Sequence, residues 1–326
     1  MTGIFKANNP SGSAMLFVYA IMVKIPMFLN TRAPQLQMLD GIFYKNFLTL
    51  LQPVAKGLPS IYSLLTFVLL FIQAVGLNKI ANNLKLHRQD NYLTGMAYLL
   101  ITSLFSEWFS LSAPLIVNTF LIWIWGRLCT LYNSNHAQAS IFNIGLATGL
   151  AAFIYFPSVT FLLLIMVGIA IARPFKPQEW LLGLAGIVTP VYFFAAYLFL
   201  NDKMSSFHFP GFHLSYPHFF SNWWAYATLA VLFLSIIIGL YFVNSQMRRL
   251  LVQTRKSWQL LFLYLIVAAV VPFVNAGINF SYWILLAVPV SPVIAGAFFY
   301  PHKKLIPQIL HWGMVVIYVA VGFFNK

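Results

Sequence analysis

Acidic side chains are scarce in this chain of 326 residues, which has five Asp and Glu against 19 Lys and Arg. Any chemistry that needs a carboxylate, whether proton transfer or metal binding, therefore has few candidates. The five acids are Asp40, Asp90, Glu107, Glu179 and Asp202. Charged residues of both signs make up only 7% of the sequence, far below the share that is typical of a soluble domain.

Cysteine and the common cofactor motifs are also nearly absent. A single cysteine, Cys129, excludes a disulfide framework and a thiolate metal cluster. The sequence contains no GxxxxGK[ST] or GxGxxG loop and no HExxH or HxE…PCxxC pattern. Enzymes that hydrolyse nucleotides, bind dinucleotides or carry these zinc sites are therefore disfavoured.

What the chain does have is apolar residues, at 61% of the sequence and a mean hydropathy of +0.82. A soluble domain of this length could not bury so much apolar surface, so we expect an integral membrane protein. Eleven apolar runs are long enough to cross a bilayer as helices, so the predicted fold is an all-α, polytopic bundle in a single transmembrane domain, residues 1–326. The runs are residues 13–30, 58–78, 91–108, 112–132, 141–156, 157–173, 180–201, 223–244, 258–276, 280–299 and 306–324.

The distribution of Lys and Arg predicts the orientation. Every second connection is basic, which places the N-terminus inside and the C-terminus outside by the positive-inside rule. The connections predicted to be cytoplasmic carry Lys79, Lys85, Arg88, Arg127, Arg173, Lys176, Arg248, Arg249, Arg255, Lys256, Lys303 and Lys304. Because these residues lie beside apolar runs, the net charge of +14 points to membrane lipids as partners and not to nucleic acid.

The first outer connection is unusually long and carries its own pattern. Within GIFYKNFLTLLQPVAK, apolar residues recur on one helical face, which predicts a short amphipathic helix in the membrane interface that ends at Pro53. Asp40 directly precedes this stretch, so capping of the helix is one interpretation of its role. Arg32 and Lys45 lie in the same connection; they either recognise an anionic ligand or lipid, or extend to outer head groups.

Two carboxylates fall on successive outer connections and form the candidate catalytic pair. Asp40 lies in the first connection, and Glu107 lies in the tight turn SLFSEWFSLSAP. Such a pair could deprotonate an acceptor hydroxyl or hold a divalent cation over a phosphate, with Arg32 neutralising that phosphate. Lys24, near the outer end of the first span, needs a partner or must extend to the surface, and could reach the same cavity. For Glu107 the alternative is an exposed acid at a helix start.

Two further patterns have mainly structural interpretations. Arg173 and Glu179 flank the prolines of RPFKPQEW, and an ion pair between them would fix this hairpin; binding of a lipid head group or a cytoplasmic partner is the alternative. The histidines at 208, 213 and 218 recur every fifth residue, a spacing that fits neither helical nor strand metal ligation. We therefore expect a lid there and not a metal site.

The order of these elements resembles the C-type, polyprenyl-phosphate-dependent membrane glycosyltransferases over residues 10–200, followed by C-terminal helices over 201–326. The resemblance lies in the acidic first outer loop with its interfacial helix, the second span ending in NKIANNLKL, the short acidic outer turn, and the run NIGLATGLAAFIYFPSVTFLLLIMVGIAIARPF. It implies that Asp40 is the first-loop base or metal ligand and Glu107 the second-loop acid. The chain departs from that pattern in its shorter first loop, its lone first-loop acid and its lack of a large outer C-terminal domain.

The segments IARPFKPQEWLLGLAGIVTPVYF and SYWILLAVPVSPVIAGAFF look more specifically like a family of uncharacterised multipass inner-membrane proteins of Bacteroidota. That resemblance implies a bacterial inner (cytoplasmic) membrane location. Three hypotheses of function follow. The first is transfer of a sugar from a polyprenyl-phosphate carrier to an envelope acceptor at the outer face. The second is a noncatalytic envelope scaffold that docks a partner protein, and the third is a transporter or lipid flippase.

Overall fold

The computed structural model describes residues 2–7, 11–134, 137–204, 223–274, 280–301 and 303–324, and these residues contain helices and no strand. An all-helical architecture is what the long apolar runs predict. The α-helices are α1 Thr2–Lys6, α2 Gly12–Leu29, α3 Ile42–Gly57, α4 Ser60–Asn83, α5 Leu93–Ile101, α6 Ala113–Thr130, α7 Ala137–Ile154, α8 Leu162–Ala172, α9 Pro177–Leu200, α10 Trp223–Met247, α11 Val252–Val270, α12 Ala287–Phe299 and α13 Leu305–Phe324.

Eight of the predicted runs are helices long and apolar enough to cross a membrane, so the chain is a membrane protein by length and composition. They are Gly12–Leu29, Ser60–Asn83, Ala113–Thr130, Ala137–Ile154, Pro177–Leu200, Trp223–Met247, Val252–Phe273 and Phe280–Phe299. The predicted runs 157–173 and 306–324 contain shorter apolar helices, Phe156–Ala172 and Leu305–Ala320. The remaining run, 91–108, is not among these candidates and is a broken element.

The broken element begins with α5, whose nine residues are all buried. A helix of nine residues is only about 14 Å long, too short to cross a bilayer by itself. The helix stops where Thr102 and Ser103 donate their hydroxyl hydrogens back to the carbonyl oxygens of Tyr98 and Leu99, at 2.8 and 2.7 Å. The Tyr98 carbonyl also accepts the Thr102 N–H, whereas the Ser103 N–H bonds to Leu100 and leaves the Leu99 carbonyl to the hydroxyl groups. The chain can therefore turn at the end of a buried helix without leaving the Leu99 carbonyl unpaired. A 3₁₀ helix, Ser106–Phe109, follows.

Contacts between distant segments define two ends of the bundle. At the first, which we call the basic end, Lys6 Nζ donates to Phe299 O at 2.7 Å and Arg88 Nη2 donates to Gln246 Oε1 at 2.8 Å. The connections predicted to be cytoplasmic gather there. At the opposite end, called the cavity end, lie the first loop and the 3₁₀ helices Ser106–Phe109, Phe156–Phe161, Val271–Phe273 and Phe280–Leu286.

The predicted ion pair at the basic end is confirmed. Arg173 Nε lies 3.3 Å from Glu179 Oε1, and the Glu179 side chain is buried. Arg173 Nη1 also donates to the carbonyl oxygens of Leu131 and Ser134, at 3.0 and 2.9 Å. One guanidinium therefore joins the α8–α9 hairpin to the connection between α6 and α7.

The centre of the bundle consists of α12 packed against α5, and every residue of both helices is buried. Around this pair, α7 and α9 make an unusually close contact through glycines. A methyl group added at Gly145 would overlap the carbonyl oxygen of Gly183 and approach the Cα atom of Gly186. Small residues at such positions let helix backbones touch, which is how apolar helices associate where lipid offers no hydrophobic driving force.

We predict that Gly145→Ala separates α7 from α9 and destabilises the protein by about 1–3 kcal/mol, the usual cost of overpacking. The measurement is the midpoint of thermal unfolding in detergent. Gly76→Ala in α4 is the matched control, because its added methyl group meets nothing within 4 Å. Equal midpoints for the two variants would contradict the packing argument.

Candidate functional site

The first loop closes on itself around Asp40. The backbone N–H of Gln37 donates to Asp40 Oδ2 at 2.8 Å, and the backbone N–H of Asp40 donates to the carbonyl oxygen of Gln37 at 3.2 Å. The Asp40 side chain is only 6% exposed. Its carboxylate therefore holds the shape of the loop from within.

A short antiparallel bridge joins this loop to the end of α7. The Gly41 N–H donates to Ile154 O at 2.8 Å, and the Phe156 N–H donates to Leu39 O at 3.2 Å. A Cβ atom at position 41 would overlap the carbonyl oxygen of Phe153, so only glycine fits there. Gly41 is also the N-cap of α3 and makes no side-chain cap. The interpretation of Asp40 as a helix cap is therefore wrong, because its carboxylate faces back toward Gln37.

The amphipathic helix predicted after Asp40 is present as α3, but it does not end at Pro53. It continues to Gly57, with Pro53 inside the helix. Its buried face carries Tyr44, Leu48 and Ala55, and Tyr44 Oη donates to the carbonyl oxygen of Leu111 at 2.9 Å. This bond attaches α3 to the segment that follows Glu107.

One cavity brings together the first loop and the Glu107 turn. It has a volume of about 410 Å³ and is lined by Arg32, Ala33, Pro34, Gln35, Gln37, Glu107, Ser110, Leu111, Ser112 and Ser281. Of the predicted site residues, Arg32 and Glu107 therefore share a cavity. Asp40 is connected to it through Gln37, whose side-chain Nε2 donates to Ser281 Oγ at 2.9 Å across the cavity wall.

Glu107 is held in place by the 3₁₀ helix that carries it. Trp108 Nε1 donates to Phe280 O at 3.2 Å, and the rings of Trp108 and Phe280 stack with their centroids 5.8 Å apart. Ser106 Oγ lies 3.4 Å from Glu107 Oε2, a long hydrogen bond to the carboxylate. Glu107 is half-buried and faces the cavity.

Lys24 and Lys45 lie outside the cavity lining. Lys24 is completely buried in the bundle, where its Nζ donates to Thr102 Oγ1 at 3.0 Å and lies 5.6 Å from the centroid of the Phe109 ring. It therefore supports the break after α5. Lys45 is exposed on α3, and its charge acts on the carboxylate of Asp40.

Burial raises the pKa of the Asp40 carboxyl from 3.8 to about 6, against the opposing effects of the Gln37 N–H bond and the Lys45 charge. Burial, with the nearby charge of Asp40, also raises the pKa of the phenols of Tyr44 and Tyr155. Asp40 thus sits in an apolar, aromatic environment that favours its neutral form.

A second groove, which is apolar, shares one lining residue with the polar cavity. It has a volume of about 440 Å³, and Leu111 lines both. Its other walls come from α3, α4 and the neighbouring helices, and they consist of Phe43, Tyr44, Phe47, Leu65, Val68, Leu69, Ile72, Ile116, Phe120 and Ile154. Leu111, which is buried, therefore lies between the polar and the apolar volume.

No group of three or more His, Cys, Asp or Glu side chains suited to a metal ion occurs within the described ranges. The histidines at 208, 213 and 218 lie outside those ranges. The polar lining residues that sequence reasoning missed are Gln35, Gln37, Ser110, Ser112 and Ser281. Ser281 is 244 positions from Gln37, and neither residue type stands out in a polar loop.

Comparison with known proteins places the chain in a family. Residues 14–326 match a protein family described as "Family of unknown function (DUF6427)". The chain belongs to this family. No curated protein and no solved structure matches the chain. The matched range includes the first loop, the Glu107 turn and Ser281, so the cavity is built entirely from the part of the chain that the family covers.

The raised pKa of Asp40 predicts a pH dependence of stability. The Asp40 carboxyl has a pKa near 3.8 in the unfolded chain and about 6 in the folded protein. At pH values between these two, the folded state binds more protons than the unfolded state. The free energy of unfolding therefore increases as the pH falls from above 6 toward 4. We expect Asp40→Asn to remove this slope and to be more stable than the wild type at pH 8, by about 1–3 kcal/mol.

The measurement is thermal unfolding in detergent between pH 4 and pH 8. Asp90→Asn is the matched control, since Asp90 is exposed and far along the chain from the first loop. It should keep the wild-type slope. A slope retained in Asp40→Asn would contradict the assignment to this carboxyl.

Proposed function

We propose that this protein is a membrane glycosyltransferase that moves a sugar from a polyprenyl-phosphate carrier to an envelope acceptor. In this proposal the chain crosses the bacterial inner membrane eleven times, with α5 and the 3₁₀ helix Ser106–Phe109 together forming one crossing. The N-terminus lies inside and the C-terminus outside. The basic end then faces the cytoplasm, in keeping with the positive-inside rule. The cavity end faces outward, where the acceptor would arrive.

The observation that carries the proposal is that Leu111 lines both the polar cavity and the apolar groove. The polar cavity contains one cation, Arg32, and one carboxylate, Glu107, while the groove beside it is apolar. A polyprenyl phosphate has the same division into a phosphate and a hydrocarbon chain. The phosphate would lie beside Arg32 and the chain in the groove against α3.

The residues of the cavity supply the roles that such a transfer needs. Arg32 would hold the phosphate through charge-assisted hydrogen bonds. An acceptor hydroxyl would attack the anomeric carbon, the bond from that carbon to the phosphate oxygen would break, and Glu107 would accept the hydroxyl proton. Asp40 would act as a positioning residue, because its carboxylate holds the Gln37 N–H on the cavity wall. Lys45, exposed on α3, would meet lipid head groups.

Glu107 is the acid that lines the cavity among the described residues, because Asp40 is buried and bonded to Gln37. Magnesium sites commonly combine one or two protein carboxylates with phosphate groups of the substrate. A divalent cation would therefore be held by Glu107 together with the phosphate. We assign no step of the proposed reaction to a metal ion.

The role of Asp40 also favours a second candidate, the noncatalytic envelope scaffold. In that case the loop closure at Gln37 is the whole function of the first-loop acid, and the cavity binds a lipid without acting on it. The two candidates share lipid binding and differ in the consequence of removing Glu107.

The test uses the full-length protein in lipid nanodiscs, with farnesyl phosphate as a short polyprenyl-phosphate probe. We expect Arg32→Ala to weaken its binding by about 10-fold to 100-fold, because a charged hydrogen-bond donor is lost. We expect Glu107→Gln to bind the probe as the wild type does. In cells, Glu107→Gln should lower the amount of glycosylated envelope product by about 100-fold or more, as loss of a general base does.

Lys56→Ala is the matched control for charge, since Lys56 is exposed at the far end of α3 and does not line the cavity. It should change probe binding less than about twofold. Wild-type product levels in Glu107→Gln cells, with binding retained, would support the scaffold. Failure of the wild type to bind farnesyl phosphate would overturn both candidates.

A further inference from the structure

A separate cavity lies at the basic end, where α1 meets the connection between α12 and α13. It has a volume of about 420 Å³ and is lined by Thr2, Gly3, Ile4, Lys6, Phe298, Pro301, Lys304, Pro307 and Gln308. It shares no residue with the polar cavity or the apolar groove at the other end. The proposed transfer reaction makes no use of it.

The charged groups of this cavity are all positive. Lys6 and Lys304 line it, and none of the described residues in its wall is acidic. Lys6 uses one of its three N–H donors on Phe299 O, at 2.7 Å, which fixes its position and leaves two donors for another acceptor. The Lys304 side chain is exposed at the mouth.

The start of α13 lies beside Lys304. The helix begins at Leu305, and Pro307 and Gln308 of its first turn line the cavity. Pro307 has no backbone N–H, and the N–H of Gln308 donates to the carbonyl oxygen of Lys304 at 3.4 Å. The positive charge of the cavity therefore comes from Lys6 and Lys304, whose ammonium groups suit a phosphate group.

An apolar track leads away from the cavity along α13. Leu305, Ile309, Trp312 and Val316 are all exposed, and their spacing of three or four residues places them on one face of the helix. The track starts beside Lys304 at the cavity and continues along most of the length of α13. A ligand that occupies both features must have an anionic head and a hydrocarbon chain.

We propose that this cavity binds the phosphate head group of an anionic phospholipid, with an acyl chain lying along the Leu305–Val316 face of α13. The site recognises the charge through Lys6 and Lys304. Pro301 and Pro307, both buried in the wall, restrict the backbone on either side of Lys304 and keep it at the mouth. The ligand would join α1, α12 and α13 at the basic end.

The test compares phosphatidylglycerol with phosphatidylcholine by native mass spectrometry of the full-length protein in detergent. We expect the wild type to retain phosphatidylglycerol and to bind phosphatidylcholine at least about fivefold more weakly, since phosphatidylcholine has no net charge. Lys304→Ala should lower the affinity for phosphatidylglycerol about fivefold, and Lys304→Arg should retain most of it.

Lys303→Ala is the matched control, because it removes the same charge at the neighbouring position and Lys303 does not line the cavity. It should change the affinity less than about twofold. An equal loss in Lys303→Ala, or equal binding of the two lipids by the wild type, would overturn the site. Displacement of the lipid by millimolar inorganic phosphate would show that a free anion is bound and would overturn the lipid assignment.

Discussion

Backbone hydrogen bonding inside an apolar bundle restricts where this chain can leave the helical conformation. In a membrane interior every N–H and C=O group needs a partner from the protein. The chain turns only where such partners exist. Thr102 and Ser103 bond the carbonyl groups at the end of α5, and the Gly41–Ile154 bridge pairs the first loop with the end of α7. The candidate cavity lies among these breaks, where the first loop and two short 3₁₀ helices place side chains across the end of the bundle.

Three of the five acids occupy distinct positions in the fold. Glu179 is buried in an ion pair with Arg173, and Asp40 holds Gln37 from inside the first loop. Glu107 is then the carboxylate that faces the polar cavity among the described residues. A carboxylate that is satisfied within the protein has little capacity for a substrate, whereas one at a cavity wall keeps its acceptor positions free. This difference separates a positioning residue from a candidate base.

Several features of the fold follow from local composition alone. Hydropathy predicted eleven apolar runs, and ten of them contain long or shorter apolar helices. The positions of the charged residues around the prolines predicted the Arg173–Glu179 pair. The run at 91–108 was predicted as one span because its apolar residues are continuous. At the break after α5, Thr102 accepts a hydrogen bond from Lys24 of another helix, a contact that no local pattern reports. Pro53 likewise stays within α3, since a proline in a surface helix can be accommodated by a kink.

The sequence by itself determined the class of protein, the positions of most helices, the basic and non-basic connections, and Arg32 and Glu107 as residues worth considering. Composition and periodicity suffice for these features because burial in lipid acts on each helix separately. Only the tertiary structure decided that Arg32 and Glu107 share a cavity, that Asp40 bonds to Gln37 and does not line it, and that Ser281 completes its wall. Those relations depend on the packing of helices far apart in the chain, and the side chains that meet there carry no common periodicity.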